Sequence, residues 1–386
     1  MKTLVNIISR EHPLAPYLFI KEHYEEGDRL LFIAANEDLD SITPLITALK
    51  VDKGVTQRIV LRRDADKYTY ERICRVINSS VDKKQAYYVN LAGGSRYMAL
   101  SVQHVFSNFN AHFFYVQTRE NLIVKTIFDN SIFDNDDEIV PIRYRMTLGE
   151  YFSVYGLTHD LEALGDPVGS VEQAQHLFNL FSKRILRTSD YKVLDVLRER
   201  YRGWDSLNIH EVKAPVNDKM VPIPNLSDFL DFIGFVPVKP GVLSHDELDY
   251  LTGGWFEEYV YYLIKATMQP DDIALGVRID GCTQIRHNNE LDVCFIKNNQ
   301  LFVIECKSGI SSESMFNEIV YKVCALKEVL LGVACESYIF SLKKDPTGDL
   351  KKIAQYMGVT FCDFDVLTRE DKLRKVLKKM SQIAGK

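Results

Sequence analysis

The stretch LDVCFIKNNQLFVIECKSG, residues 291–309, decides the fold of the C-terminal part of the chain because it sets charges into two strongly apolar segments. The charged residues are Asp292, Glu305 and Lys307. Lys and Glu are seldom fully buried unless they are paired. Charges within a predicted strand core therefore mark either positions that face solvent or a functional site.

The two apolar segments are joined by Asn298-Asn299, a dipeptide that favours the tight turn of a β-hairpin. The pattern predicts two antiparallel strands that meet at this turn. At the open end of such a hairpin, Asp292 comes alongside Glu305. The hairpin therefore places two carboxylates at the end farthest from its turn.

The direction of the side chains suggests a metal site. Residues two apart in a strand point to the same face, so Glu305 and Lys307 project together while Cys306 turns to the other face. Two carboxylates beside an ammonium suit Mg²⁺ or Mn²⁺, which polarise a scissile phosphate and activate a water while the lysine stabilises the developing charge. The alternative is a cross-strand ion pair at the sheet surface, which is common and contributes little.

The pattern of the whole chain indicates three regions and an α/β fold class. Residues 1–146 alternate strand and helix patterns, which predicts a mostly parallel sheet with helices on both faces. Residues 147–244 carry amphipathic helix patterns between proline-containing stretches and are interpreted as a mainly helical connector. Residues 245–386 open with a helix and continue as a second α/β domain.

A second candidate site lies in YYVNLAGGSRYMALS, residues 87–101, where Gly93 and Gly94 separate a strand from a helix. Glycines permit a tight turn close to a ligand, and the helix N-terminus offers free N–H groups to an anion. Ser95 and Arg96 add a hydroxyl and a positive charge. The turn therefore predicts a phosphate-containing ligand, although a serine N-cap after a glycine turn is common in α/β folds.

Composition limits the class of protein. The 386 residues are 46% hydrophobic and 26% charged, as in ordinary soluble globular proteins. The net charge of −6 indicates that any polyanion is bound by a local basic site. No apolar run approaches the roughly 20 residues of a membrane helix. Seven cysteines without a CxxC pair predict reduced thiols in a cytoplasmic protein.

Three motifs in the C-terminal region carry a resemblance. GGWFEEYV, NELDVCFIKNNQLFVIECKSG and NEIVYKVCALKE closely resemble the nuclease domain of the PD-(D/E)XK superfamily, in the branch attached to CRISPR ancillary proteins. The resemblance implies a restriction-endonuclease-like fold in which Asp292 and Glu305 bind the metal and Lys307 is the catalytic lysine. It also implies that Glu257 is the catalytic acidic residue of the first helix, with its neighbour Glu258 as the alternative.

The same resemblance extends the site. The predicted metal site also includes Cys306, and Glu290 is predicted to assist it. Tyr321 and Lys322 fit the helix that contacts the phosphate backbone in this superfamily. The alternative for these two residues is an exposed pair on an amphipathic helix.

The first domain is similar to the CRISPR-associated Rossmann-fold (CARF) sensor domain, through a first strand ending in IIS and the later motif LAGGSRYMAL. The usual family motif is closer to TGGT followed by Lys, so Ala92 departs from it whereas Ser95 and Arg96 preserve its chemistry. The resemblance implies that cyclic oligoadenylate binds at Ser9, Arg10, Gly93, Gly94, Ser95 and Arg96.

Together the resemblances imply a homodimeric nuclease of type III CRISPR defence, with a sensor at 1–146, a connector at 147–244 and a nuclease at 245–386. We predict a metal-dependent endonuclease, using Mn²⁺ or Mg²⁺, that cleaves single-stranded DNA, RNA or both, or nicks duplex DNA. Two sensor domains are predicted to enclose one ring of cyclic tetra-adenylate, with cyclic hexa-adenylate as the second candidate. Ring binding is predicted to activate the nuclease.

Two other functions are weighed against this prediction. A transcription regulator that senses cyclic oligoadenylate and binds DNA without cleaving it is the first, but no basic recognition helix is apparent. A ligand-binding protein with a decayed nuclease is the second, but no catalytic position is visibly lost. The sequence leaves open whether DNA or RNA is preferred and whether the sensor degrades its own ligand.

Overall fold

A computed structural model of the protein describes residues 1–62, 69–126, 138–162, 166–183, 193–194, 196–216, 219–222, 226–280, 290–308, 313–329 and 335–384. Within these ranges, no helix combines the length and the apolarity that a bilayer crossing requires.

The N-terminal region forms a seven-stranded sheet in the order β3-β2-β1-β4-β5-β6-β7. The pairs among the first five strands in this order are parallel, and the last two strands are added antiparallel as hairpins. The mostly parallel sheet predicted from strand–helix alternation is thereby confirmed. The strands are β1 (Thr3–Ile8), β2 (Arg29–Ala35), β3 (Thr56–Leu61), β4 (Ala86–Asn90), β5 (Asn110–Gln117), β6 (Leu122–Thr126) and β7 (Glu138–Pro141).

Helices cover both faces of this sheet, as predicted. One face packs against Ile73, Ile77 and Met98 of the third and fourth helices, and the other packs against the first and second. A further helix after the sheet joins the second layer through its buried aromatic residues. The helices are α1 (Leu14–His23), α2 (Ile42–Leu49), α3 (Tyr70–Ser80), α4 (Arg96–Phe106) and α5 (Leu148–Val154).

The region predicted as a mainly helical connector also contains short strands. Strands of three or four residues are too short to show a clear alternation of apolar and polar side chains, which is why the sequence pattern did not indicate them. Among the described residues of this region, the α-helices include α6 (Val171–Ser182) and α7 (Leu226–Phe232). The strands are β8 (Thr158–Asp160), β9 (Ser206–Asn208), β10 (Lys213–Val216), β11 (Lys219–Pro222) and β12 (Val242–Ser244).

The C-terminal region forms a six-stranded sheet in the order β17-β16-β15-β14-β13-β8. Strands β13 to β15 form an antiparallel meander, to which β16 and β17 are added in parallel. Strand β8 pairs with β13, so the connector region completes this sheet. The new strands are β13 (Asp272–Asp280), β14 (Glu290–Lys297), β15 (Gln300–Lys307), β16 (Cys335–Ser341) and β17 (Thr360–Cys362).

The helices of this region cover both faces of the second sheet. The helix that begins at Trp255 shares one core with the connector, where the rings of Phe178 and Tyr259 stack with centroids 3.9 Å apart. Phe316 and Val320 of the longest helix build a separate core on the other face. The helices are α8 (His245–Asp249), α9 (Trp255–Met268), α10 (Glu313–Val329), α11 (Asp349–Tyr356), α12 (Phe364–Leu367) and α13 (Glu370–Ala384).

The hairpin between β14 and β15 has the predicted turn. Asn298 and Asn299 have φ of 50° and 63°, and the flanking residues Lys297 and Gln300 pair directly. Asparagine tolerates this left-handed conformation better than most residues, and two successive left-handed residues form the turn that best suits strand twist. The turn sequence therefore sets the register that brings the charged residues of the two strands together.

Candidate active site and ligand cleft

The open end of the β14–β15 hairpin gathers three charged side chains. The Lys307 Nζ atom lies 2.8 Å from Oε1 of Glu305 and 3.3 Å from Oδ2 of Asp292. Oδ2 of Asp292 also accepts a hydrogen bond of 2.6 Å from the main-chain N–H of Cys306. Asp292 is 7% exposed and Glu305 only 2%. The two carboxylates and the ammonium therefore form one largely dry cluster.

Strand pairing produces this cluster directly. Val293 pairs with Ile304, so the next residues outward on the two strands are Asp292 and Glu305. Lys307 lies two residues beyond Glu305 and shares its face, because side chains in a strand repeat with period two. The structure thus brings together the three residues that the opening stretch predicted would meet.

Burial and neighbouring charges shift the pKa values of Asp292 and Lys307. Burial, followed by the charge of Glu305, raises the pKa of Asp292 to about 6. Burial alone would lower the pKa of Lys307, but the carboxylates of Asp292 and Glu305 outweigh it and raise that pKa. The lysine is therefore positively charged at neutral pH, whereas the Asp292 carboxylate is held ionised at a cost.

The two adjacent acids at the start of α9 have different surroundings. Burial raises the pKa of Glu257 well above its ordinary value, with the charge of Asp292 as the next cause. Glu257 lines a cleft of about 460 Å³ together with Glu290. Glu258 also borders this cleft, but its carboxylate accepts the main-chain N–H groups of Val168 at 2.7 Å and Gly169 at 2.9 Å. The geometry therefore associates Glu257 with the acidic cluster and gives Glu258 a role in holding the connector.

This difference predicts opposite outcomes for two neighbouring substitutions. We expect Glu257→Gln to lower the cleavage rate by about 100-fold, the lower end of the usual contribution of a catalytic acid or base, because it removes a carboxylate beside Asp292. Glu258→Gln is expected to leave cleavage within about 3-fold but to lower the melting temperature, since the amide nitrogen that replaces one carboxylate oxygen cannot accept an N–H group and leaves a main-chain donor of the connector unpaired. Cleavage and thermal unfolding of both variants provide the check, and the reverse ranking of cleavage rates would contradict the assignment.

Lys322 of α10 belongs to the cluster, although the sequence indicated only a contact with the phosphate backbone. Its Nζ atom lies 3.3 Å from Oε1 of Glu305 and 3.3 Å from the main-chain oxygen of Glu290. Tyr321, its predicted companion, is 64% exposed. The apolar positions of α10, such as the buried Val323, showed which face of the helix is buried, but they did not show that the neighbouring Lys322 points towards Glu305.

Cys306 does not present its thiol to the cluster as a free ligand. The side chain is buried in the core beneath α9, and burial raises the pKa of the thiol well above its ordinary value. A protonated thiol is a poor metal ligand. The contribution of Cys306 is the N–H group that fixes Asp292, so the prediction of Cys306 as a metal-site residue has no support from its side chain.

The glycine turn of the first domain borders a second cleft, of about 430 Å³, at the carboxyl ends of β1, β4 and β5. Gly93 and Gly94 have φ of 119° and 60°. A Cβ atom on Gly93 would lie 2.4 Å from the main-chain oxygen of Ile7, so this position requires glycine. The chain can cross over β1 here only without a side chain, which explains the glycine pair in physical terms.

The other predicted ligand residues lie at the same edge of the sheet and make local hydrogen bonds. Ser95 caps α4 by accepting the N–H of Met98 at 3.2 Å, and Arg96 is exposed in the first helical turn. The Ser9 hydroxyl accepts the N–H of Glu11 at 3.2 Å. The main-chain N–H of Arg10 donates to Asp38 at 3.0 Å.

The cleft has a wall that the sequence pattern did not indicate. Its far side is formed by β5 and the turn that leads into β6, and a histidine lies near the end of β1. A turn between two strands carries no motif of its own, so only the folded sheet shows that it borders the cleft. The additional lining residues are His12, Tyr115, Gln117, Thr118, Arg119, Glu120 and Tyr155.

Comparisons with known proteins agree with both halves of the structure. Residues 3–151 match the family model of the Card1 CARF domain, and residues 245–382 match the model of the Card1-like endonuclease domain. No curated protein matches the sequence significantly.

Solved structures share the fold at low sequence identity. Protein VC1899 from Vibrio cholerae superposes with a TM-score of 0.74 at 18% identity, covering 100% of this chain and 99% of its own. Can2 from Sulfobacillus thermosulfidooxidans, in complex with cyclic tetra-adenylate, gives 0.70 at 20% identity, covering 98% and 99%. A type III CRISPR defence DNA nuclease activated by cyclic oligoadenylate gives 0.56 at 15%, covering 98% and 51%. The chain therefore belongs to the CRISPR ancillary nucleases of the Card1 type, in which a CARF domain precedes an endonuclease domain.

Proposed function

We propose that this nuclease cleaves single-stranded DNA, RNA or both with a divalent metal, and that cyclic tetra-adenylate in its sensor domain activates it. The observation that carries the catalytic part is the buried cluster of Asp292, Glu305 and Lys307 at the end of the hairpin in the endonuclease domain. A surface ion pair would leave its carboxylates hydrated, whereas these two are at most 7% exposed. Charges are buried at such a cost chiefly where chemistry needs them.

The donor set fits Mg²⁺ or Mn²⁺. Asp292 and Glu305 offer carboxylate oxygens, which hard cations prefer, and the thiol nearest to them is held protonated. No group of three or more His, Cys, Asp or Glu lies at metal-ligand spacing in the described ranges. Mg²⁺ is commonly held by one or two carboxylates, with substrate phosphate and water completing its shell, so two carboxylates suffice. A cation bound there would polarise the scissile phosphate.

The other groups of the cluster orient the carboxylates, stabilise the charge that develops on the phosphate and balance the buried charges. The main-chain N–H of Cys306 fixes the orientation of Asp292. Lys307 keeps its proton at neutral pH and holds a positive charge at the place where the phosphate gains negative charge. Lys322 approaches Glu305 from α10 and balances the second carboxylate. Glu257 and Glu290 line the adjoining cleft, where a water or a second phosphate oxygen would be oriented.

The sensor part of the proposal is supported by the cleft beside Gly93. It lies at the carboxyl ends of parallel strands, where α/β sheets bind ligands, and the glycine turn lets the main chain approach a phosphate. Can2, which shares the fold, was solved with cyclic tetra-adenylate. We propose that two chains form a homodimer whose sensor domains share one ring, because a ring with twofold symmetry suits an isologous dimer.

The test is cleavage of labelled single-stranded DNA and RNA by the full chain with Mn²⁺, with and without cyclic tetra-adenylate. Cleavage that requires both the metal and the ring is the expected result, and the substrate that is cut names the specificity. Cleavage that proceeds equally without the ring would refute activation by that ligand. DNA binding without cleavage under every condition would replace the enzyme with a DNA-binding regulator.

A further inference from the structure

A pair of buried asparagines joins the sensor domain to the nuclease domain. Asn299, at the tip of the β14–β15 hairpin, is 2% exposed, and Asn121, between β5 and β6, is 8% exposed. Their side chains meet directly, with Asn299 Nδ2 donating to Asn121 Oδ1 at 2.7 Å. Two polar side chains that are buried together in this way make a specific contact between the domains.

The Asn299 side-chain amide makes its other hydrogen bonds with main-chain groups of the sensor domain. Its Oδ1 atom accepts the N–H of Met146 at 2.8 Å, and its second Nδ2 hydrogen is donated to the main-chain oxygen of Tyr144 at 2.9 Å. Asn121 in turn donates its amide to the main-chain oxygen of Ile142 at 3.1 Å. Removing one amide would therefore leave several buried groups without their partner, which gives the contact directional stiffness.

Asparagine serves two separable purposes at these positions. Asn121 and Asn299 have φ of 56° and 63°, a left-handed conformation that asparagine and glycine tolerate. The same residues supply the amides that join the domains. Glycine would keep the backbone and remove the amide, whereas aspartate would keep the shape and replace the donor hydrogens with an acceptor. The chain thus offers variants that test the contact without disturbing the turn.

On the sensor side, the contact is continuous with the ligand cleft. Asn121 directly follows Glu120, the last of the β5–β6 residues that line the cleft. Tyr155, which also lines the cleft, directly follows α5. At the other end of α5, the N–H of Leu148 donates to Asp272 of the nuclease domain at 2.7 Å. Two segments that line the cleft, the β5–β6 turn and the residue after α5, are therefore each connected to the nuclease domain by hydrogen bonds.

On the nuclease side, the contact is continuous with the active site. Asn299 lies at the turn of the hairpin whose open end carries Asp292, Glu305 and Lys307. Both strands are buried along most of their length, so the hairpin moves as a stiff unit and not as two independent strands. A shift of the tip is therefore transmitted to the cluster at the other end.

We propose that Asn121 and Asn299 are positioning residues that couple the ligand cleft to the catalytic hairpin. Ligand that moves the β5–β6 turn or α5 shifts the hairpin tip through these amides, and the carboxylates and the lysine at the open end move together relative to Glu257 of α9 and Lys322 of α10. This inference rests on the proposed activation by cyclic oligoadenylate and adds the residues through which it acts. A coupling between two sites requires an element whose arrangement both sites bias, and the hairpin is that element.

The experiment compares wild type with Asn299→Gly and Asn299→Asp in the full chain. Cyclic tetra-adenylate affinity is measured by calorimetry, and cleavage is measured with and without the ring. Asn298→Gly is the matched control, because it changes the neighbouring residue of the same turn, whose φ is 50°. We expect both Asn299 variants to bind the ring like wild type and to keep unstimulated cleavage. Their stimulation is expected to fall at least about 5-fold, the usual lower bound of allosteric coupling.

Each other outcome is decisive. Asn299 variants that are stimulated as strongly as wild type would overturn the coupling while leaving the proposed function intact. Stimulated and unstimulated rates that fall by the same factor would show that Asn299 merely supports the active site, which also overturns the coupling. A wild type that the ring does not stimulate would overturn the proposed function, and the coupling with it.

Discussion

Replacing Lys307 with alanine is expected to lower the cleavage rate by about 10²- to 10³-fold, the usual loss when one group that stabilises transition-state charge is removed. The Lys307 ammonium touches both buried carboxylates, at 2.8 and 3.3 Å, and its raised pKa keeps it charged. Of the two carboxylates, Lys322 contacts only that of Glu305, so it should compensate little for the loss of Lys307. Single-turnover cleavage with Mn²⁺ and the ring measures the loss.

Two controls separate chemistry from stability and from general charge. Lys307→Arg keeps the positive charge but changes its shape, and an intermediate rate is expected. Lys352→Ala removes an exposed lysine that pairs with Asp349 on α11, and its rate should stay within about 2-fold of wild type. Ring affinity should be unchanged in all three variants. A Lys307→Ala rate within 3-fold of wild type would exclude the lysine from catalysis.

The second large effect is expected for Asp292→Asn, which should abolish most cleavage and yet stabilise the metal-free protein. The folded-state pKa of Asp292 is about 6, above the ordinary value of 3.8, so the folded protein binds this proton more tightly than the unfolded chain does. At pH 8 the ionised carboxylate therefore costs stability, by about 1 to 3 kcal/mol for a shift of this size. Asparagine cannot ionise and still accepts the N–H of Cys306.

The dependence on pH tests this reasoning. In EDTA, the melting temperature of Asp292→Asn should exceed that of wild type by several degrees at pH 8. The difference should shrink by about half at pH 5 and vanish at about pH 3, because the Asp292 carboxyl is then protonated in both the folded and the unfolded wild type. Cleavage at pH 8 should fall at least about 100-fold. A variant that is less stable than wild type at pH 8 would contradict the assigned pKa direction.

Local sequence patterns predicted most of the fold. Strand–helix alternation predicted the first sheet, and Asn298-Asn299 predicted the turn that aligns Asp292 with Glu305. These features depend on neighbours in the chain, so a single sequence displays them. The short strand β8 could not be predicted, because it exists only by pairing with β13.

The parts of the two sites that escaped prediction depend on contacts between distant segments. Lys322 reaches Glu305 from a different element, and the wall around Tyr115 belongs to the cleft only once the first sheet is formed. Cys306 stands between two site residues in the sequence, but the strand turns its thiol into the core. Spacing along a strand predicts which side chains share a face of the sheet, but it does not predict which element packs on each face.

The pairing of β8 with β13 has a consequence for the order in which the enzyme folds during synthesis. The chain leaves the ribosome from its N-terminus, and domains generally fold in that order. The first sheet, with Asn121 between β5 and β6, is therefore expected to form before Asn299 has been synthesised, whereas the core on its α1–α2 face is completed later by the strands of the second sheet. Strand β8 is separated from its partner β13 by more than 100 residues in the sequence, and such long-range pairing slows folding. We expect the catalytic hairpin to assemble against this preformed sheet, so that newly made chains acquire the ligand cleft before they acquire the nuclease site.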